Sequence, residues 1–202
     1  MRLEIGIIAL LEQALETKAE KRAQFNWLCN KPKKEHFGEH YDKIINLYNH
    51  FNGNWEGTTA KADGLLTPDA YFPDPYKFIV EFDELQHFTK YREESFNYYP
   101  QDISVGYNTN KYIEYCQKFY SEALAKGPER FRRTTTDFQY VNGRAAQRAF
   151  FDTFRDWLPT LHGLKPTIRI AEFEVYPILN EELTGQAAID YLKRILFERM
   201  DN

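Results

Sequence analysis

Residues 64–88 read Gly64-Leu65-Leu66-Thr67-Pro68-Asp69-Ala70-Tyr71-Phe72-Pro73-Asp74-Pro75-Tyr76-Lys77-Phe78-Ile79-Val80-Glu81-Phe82-Asp83-Glu84-Leu85-Gln86-His87-Phe88. Two strands around a short turn fit this run. Pro68-Asp69 opens the first, Pro73-Asp74-Pro75 makes the turn, and residues 78–83 form the second. Alternate side chains of a strand point to opposite faces. Phe78, Val80 and Phe82 therefore share an apolar face that belongs in a core, while Ile79, Glu81 and Asp83 share the other. With Asp69 on the neighbouring strand, three carboxylates converge on the second face. Like charges that close need a cation or a proton between them. Mg²⁺ suits such a place, because it takes a few carboxylates and keeps its waters. An ion so held can bind a phosphodiester and activate a water for in-line attack. The competing reading is a solvent-facing strand whose acids pair with Lys or Arg.

Outward from the hairpin, the totals bound the chain. Its 202 residues are enough for one domain with a sizeable core. A net charge of -4 argues against a protein that coats nucleic acid non-specifically, yet permits a local basic groove. Cys29 and Cys116 are too few for a disulfide framework or a zinc cluster, so a reduced, cytoplasmic setting is expected. No apolar run reaches membrane-spanning length, and the opening Met1-Arg2-Leu3-Glu4 carries an early acid and no cleavage signal.

Before the hairpin, residues 3–22 have a helical apolar stripe in Ile7, Leu10, Leu11, Ala14 and Leu15, with residues 17–22 as its solvated tail. Residues 41–51 form a second helix ended by Asn52-Gly53-Asn54, and residues 55–62 read as a weakly signalled first strand. After the hairpin, residues 110–125 are helical and Gly127-Pro128 stops them. Residues 126–144 are basic and loop-like. The clearest later helix is 144–161, with Ala146, Phe150, Phe154, Trp157 and Leu161 inward, Arg148, Asp152 and Arg155 on another side, and Gly163 as its cap. Residues 167–175 form a strand whose alternation slips near Ala171, and Thr184 caps a final helix. The expected fold is α/β, one domain with a small mixed β-sheet flanked by helices.

The hairpin resembles the PD-(D/E)XK nuclease superfamily, also called restriction endonuclease-like. Pro68-Asp69 is similar to its Pro-Asp element, and Glu81 falls twelve positions after Asp69, within that family's usual spacing. Residues 78–88 are similar to the small enzymes related to very-short-patch repair endonucleases, which carry a hydrophobic strand, Glu-x-Asp, then Gln-His or a lone His. Asp152, Arg155, Gly163 and Arg169 follow the same family's later helix-then-strand pattern. The resemblance divides the single domain 1–202 into an N-terminal helical part (1–55), a nuclease-like core (56–88 and 145–199) and an aromatic, basic insertion (89–144). The first 60 residues and residues 89–146 read as additions of this chain's own.

What the resemblance implies is a metal-dependent endonuclease hydrolysing DNA, with Mg²⁺ or Mn²⁺ held by Asp69, Glu81 and Asp83. Asp83 stands where the wider family has a Lys, and an anion cannot supply that positive charge. In the Glu-x-Asp branch the role passes to nearby polar residues, here Gln86 or His87. His87 is then a general base or a contact to the metal's water; the competing role is closing a hydrogen bond at the strand end. Loss of the Lys equally fits a non-catalytic member that binds nucleic acid or a protein. The family's first-helix acid is Glu12 or Glu16, and a homodimer fits an enzyme that cuts both strands.

Arg130, Arg132, Arg133, Arg144 and Arg148, interleaved with Phe131, Phe138 and Tyr140, form the densest basic stretch. Arginine binds phosphates bidentately and aromatic rings stack on unpaired bases, so this stretch is the candidate DNA-contacting region; a loop anchored by its aromatics is the alternative. Asp152 between Arg148 and Arg155 reads as part of an ion-pair network that orients the helix. His36 and His40 lack the surrounding pattern of a zinc helix.

Overall fold

A computed structural model describes residues 3–126 and 132–200. In chain order its helices are α1 (Leu3–Ala14), α2 (Lys34–Phe37), α3 (Tyr41–His50), α4 (Trp55–Ala60), α5 (Lys90–Ser95), α6 (Thr109–Lys126), α7 (Gly143–Leu161), α8 (Tyr176–Leu179) and α9 (Gly185–Met200). The strands are β1 (Glu20–Lys21), β2 (Ala70–Phe72), β3 (Phe78–Asp83) and β4 (Ile168–Ala171), in sheet order β1-β2-β3-β4. The first two pairings are antiparallel and β3–β4 is parallel, with Glu81 opposite Arg169 and Asp83 opposite Ala171.

The sheet has helices on both faces. Phe78, Val80, Phe82, Ile168 and Ile170 pack with Ile7, Ile8 and Leu11 of α1 and Leu192 and Leu196 of α9. That is the apolar face read from the hairpin. The opposite face, bearing Glu81, Asp83 and Arg169, lies under α7 and joins it through ion pairs. Every residue of β3 is buried, so its acids do not face solvent, while the other half of that alternative holds: Glu81 stands against Arg155 and Asp83 against Arg169. On its far side α7 presents Phe150, Phe154 and Trp157 to a second core built with Phe37, Ile44, Leu47 and Tyr48. A third cluster, around Phe88, Tyr112 and Cys116, sits under α6.

Four boundaries differ from the sequence reading. Helix α1 stops at Ala14 because Glu16 takes a positive φ of 51°; Glu12 then turns back to accept the Ala19 N–H at 3.0 Å. Residues 20–21 leave the expected helical tail and pair with Tyr71 and Ala70 as the edge strand. The expected first strand at 55–62 is instead α4. Its buried Thr58 donates to Asp137 at 2.6 Å, and Gly57 lies so close to residue 136 that a Cβ there would come within 2.5 Å of the Thr136 carbonyl. β4 ends at Ala171, where Glu174 accepts its N–H at 2.9 Å and residues 172–175 wind into a 3₁₀ turn. The helices at 41, 109 and 143 and the Gly163 cap (φ 79°) fall where the periodicity puts them. The Gly127-Pro128 stop lies outside the described residues.

Beyond β4 the sheet is extended by one parallel bridge, Gly106 to Ile168, with the Gly106 N–H donating to Thr167 O at 3.2 Å. A Cβ on Gly106 would meet that carbonyl at 2.7 Å, so the approach requires glycine. Cys29 and Cys116 are both buried and unbridged. Among the described residues no helix is long and apolar enough to cross a membrane.

Candidate active site

The end of β3, the 3₁₀ turn at Leu85–His87 and one flank of α7 enclose a cleft of about 320 Å³. Asp69, Glu81, Gln86 and His87 line it, as do Arg144, Arg148, Asp152 and Arg155 of α7. Carboxyl groups line its floor and arginines its wall.

Glu81 is 5% exposed, and its Oε1 has no hydrogen-bond partner. The Arg155 Nε stands 3.2 Å from that oxygen, yet it too lacks a hydrogen bond: the pair attract as charges without an aligned N–H. Burial drives the Glu81 carboxyl well above its ordinary range, Arg155 opposes this, and Asp69 adds to it. Asp69 accepts the Phe82 N–H at 2.8 Å through Oδ2. Its carboxyl is also raised, by burial above all, against that hydrogen bond and the His87 and Arg155 charges. Two neighbouring acids are thus held in surroundings that disfavour their anions. A bound divalent cation removes that penalty, and two carboxylates with room for waters suit Mg²⁺ or Mn²⁺.

Asp83 is not part of this arrangement. Its Oδ1 takes the Arg169 Nη1 at 2.7 Å and its Oδ2 the Tyr112 hydroxyl at 3.0 Å, and it does not line the cleft. The oxygens of Asp69, Glu81 and Asp83 do not gather within 4.8 Å of one another. The expected three-acid convergence is therefore corrected to two acids. The physical reason is Arg169, which draws Asp83 into a buried network. Its Nε also lies 2.6 Å from Asp156 Oδ1, and its Nη2 donates to the Asp152 carbonyl at 3.1 Å. Asp156 in turn accepts from Arg92, Tyr99 and Tyr107, the first and last at 2.7 Å.

His87 connects network and cleft. Its Nδ1 is 2.9 Å from Asp152 Oδ2 and 3.2 Å from Asp83 Oδ1. Burial acts to raise the Asp152 carboxyl, but the His87 and Arg169 charges together hold it well below the usual range. An ionised carboxylate only accepts, so Nδ1 carries hydrogen and Nε2 is the ring atom left for a ligand. Asp152 thus belongs to the ion-pair network its spacing suggested, and it also orients the candidate base. That partnership spans 65 positions and no local pattern signals it. Gln86 lines the cleft while its amide donates to Glu84.

The remaining expected residues separate. Glu12 binds Lys18 and the Ala19 N–H, and Glu16 sits exposed in the turn after α1, so neither lines the cleft. The first-helix acid that does line it is Glu4, in the first turn of α1. Arg144 and Arg148 face the cleft, where burial lowers Arg148 to about 10, still charged at neutral pH. Arg132 and Arg133 are exposed, and Arg133 borders a separate open groove with Thr135, Gln139 and Gln147. Arg144 donates to Gln147, which ties the groove to the cleft wall. Arg130 and Phe131 lie outside the described residues.

Residues 46–137 match a protein family described as a family of unknown function (DUF7255). The match holds the hairpin with Asp69, Glu81, Gln86 and His87 and continues through residues 89–137, so that stretch recurs with the hairpin; α7 with Arg148, Asp152 and Arg155 lies beyond it. None of the curated proteins and none of the solved structures matches the chain.

Proposed function

We propose that this chain is a divalent-cation-dependent endonuclease that hydrolyses DNA phosphodiester bonds in the cleft between β3 and α7. The observation that carries the reading is the buried, unpartnered Glu81 Oε1 beside Asp69, facing a wall of arginines. The sheet supports it: β1, β2 and β3 pair antiparallel, with α2, α3 and α4 between β1 and β2, and a crossover that includes α7 brings β4 parallel to β3, which sets the acids of β3 against the arginines of α7.

Asp69 and Glu81 would hold Mg²⁺ or Mn²⁺, which supplies Lewis-acid polarisation of the phosphodiester. Arg144 and Arg148 draw the DNA phosphate into the cleft by charge and paired N–H donors. His87 Nε2 accepts the proton of the attacking water, with Asp152 fixing the ring. Arg155 stands beside Glu81 and provides the positive charge that Asp83 cannot.

The test is nicking of supercoiled plasmid and of single-stranded DNA with Mg²⁺ or Mn²⁺, comparing the parent with Asp69→Ala and Glu81→Ala. Loss of cleavage in both is expected; activity that survives both substitutions overturns the assignment. The commitment of Asp83 to Arg169 favours a second reading, a non-catalytic member that binds DNA or a protein through the arginine wall. DNA binding with no calorimetric uptake of Mg²⁺ or Mn²⁺ would select it.

A further inference from the structure

Away from the cleft, the head of α3 and the turn after Pro100 bring three potential ligand atoms together. Glu39, His40 and Asp102 each offer one donor, and the three lie within 4.8 Å of one another, the single such group of His, Cys, Asp and Glu among the described residues. His40 is 6% exposed, with its ring 6.5 Å from that of Trp157, so the imidazole is fixed by the core rather than free to swing. Its Nε2 reaches Asp102 Oδ2 at 3.2 Å. Two ligand atoms on a tetrahedral Zn²⁺, each about 2.1 Å from the metal, sit about 3.4 Å apart. The His40–Asp102 separation is therefore already that of two ligands. Neither Glu39 nor Asp102 has a Lys or Arg partner among the described residues, so two carboxylates lie within 4.8 Å of each other with no side-chain cation other than the imidazole beside them. Two like charges so placed are stabilised by a cation between them.

We propose that Glu39, His40 and Asp102 bind a borderline divalent cation of the Zn²⁺ class. One imidazole with two carboxylates selects Zn²⁺ or Co²⁺ over Mg²⁺, which wants oxygen ligands alone. Three protein ligands leave a fourth position for water. The role is a clip. Asp102 lies in the segment between Tyr99 and Tyr107, whose hydroxyls both donate to Asp156, and Asp156 in turn holds Arg169. A cation that pins Asp102 to the head of α3 fixes that segment over the buried network.

Chelator-treated full-length protein titrated with ZnCl₂ by calorimetry tests this, with Co²⁺ absorption as a second readout. Wild type should take up Zn²⁺ at micromolar concentration and give the intense visible bands of tetrahedral Co²⁺. Asp102→Asn, at an exposed position that leaves the core intact, should weaken uptake at least tenfold and abolish those bands, and His40→Ala should do the same. Asp69→Asn should keep this uptake, which separates the site from the cleft. Unchanged Zn²⁺ binding in Asp102→Asn, or no binding by wild type, overturns the proposal and leaves a His–Asp hydrogen bond.

Discussion

Glu81 and Asp83 sit two residues apart on one face of β3, and their surroundings are opposite. Asp83 is met by Arg169, Tyr112 and His87, and the network behind it satisfies Asp156 with four donors. Glu81 meets one misaligned guanidinium and keeps an oxygen without a hydrogen bond. Both carboxylates are buried, so burial alone does not separate a structural acid from a functional one. Satisfaction of their lone pairs does. A buried acid whose donors are all built into the fold holds the fold together, and one left short of donors marks where something else is to bind.

The sharpest way to break this contrast is Arg169→Met. It leaves Asp83, Asp152 and Asp156 short of their shared cation, and stability should fall by about 3–5 kcal/mol. Urea unfolding checks it; a loss below about 1 kcal/mol would mean that the network does not hold β4 to α7. Next in size is His87→Ala, which should lower cleavage by about 10²–10⁴-fold, well beyond the loss of stability that removing a partner of Asp152 and Asp83 brings. A fall in activity that merely tracks unfolding would place His87 with the structural side of the contrast.

Third comes Glu81→Gln, where the sign of the effect is the test. The folded Glu81 carboxyl is raised, so its penalty is absent below the unfolded pKa and fully present once pH exceeds the folded one. Without metal, Glu81→Gln should therefore be more stable than the parent above that pH, with the difference vanishing in acid. Mg²⁺ should raise the parent's melting temperature and leave that of Glu81→Gln unmoved. Asp152 has the opposite sign: its lowered carboxyl contributes stability above the unfolded pKa that is lost as pH falls through the folded one. Smallest is Arg148→Ala, which should weaken DNA binding across all sequences and reduce the salt slope by about one, as fluorescence anisotropy in a salt series would show.

The hairpin and α7 were legible because their signals are local. Proline and aspartate bracket β2 and β3, and apolar residues recur every three to four positions through 144–161. β1 was not, since Glu20–Lys21 is polar on both faces and joins the sheet by backbone pairing alone. Residues 55–62 misled through Thr58 and Thr59, whose β-branched side chains suit a strand, whereas contacts to residues 136–137 favour a helix. Within the site, alternation correctly put Glu81 and Asp83 on one face. Positions i and i+2 nevertheless stand about 6.6 Å apart along a strand, so sharing a face is not sharing a point. Where each acid goes was decided by Arg169 and Arg155, which arrive from residues 86 and 74 positions away from their partners. Glu4 carries no such signal, because the periodic stripe of α1 lies in its middle while the cleft opens at its first turn.

The bridge at Gly106 governs how the molecule keeps to itself. A sheet has two rims, and each is a template for a stranger's backbone unless blunted. One rim here is β1, two residues long and charged at both. The other is β4, Ile-Arg-Ile-Ala, a run well suited to recruiting another strand. Gly106 lies against it closely enough to occupy the Thr167 carbonyl. A side chain at that position, even a methyl, would lift this cover, and the first symptom of Gly106→Val should be turbidity on concentration rather than any failure of chemistry.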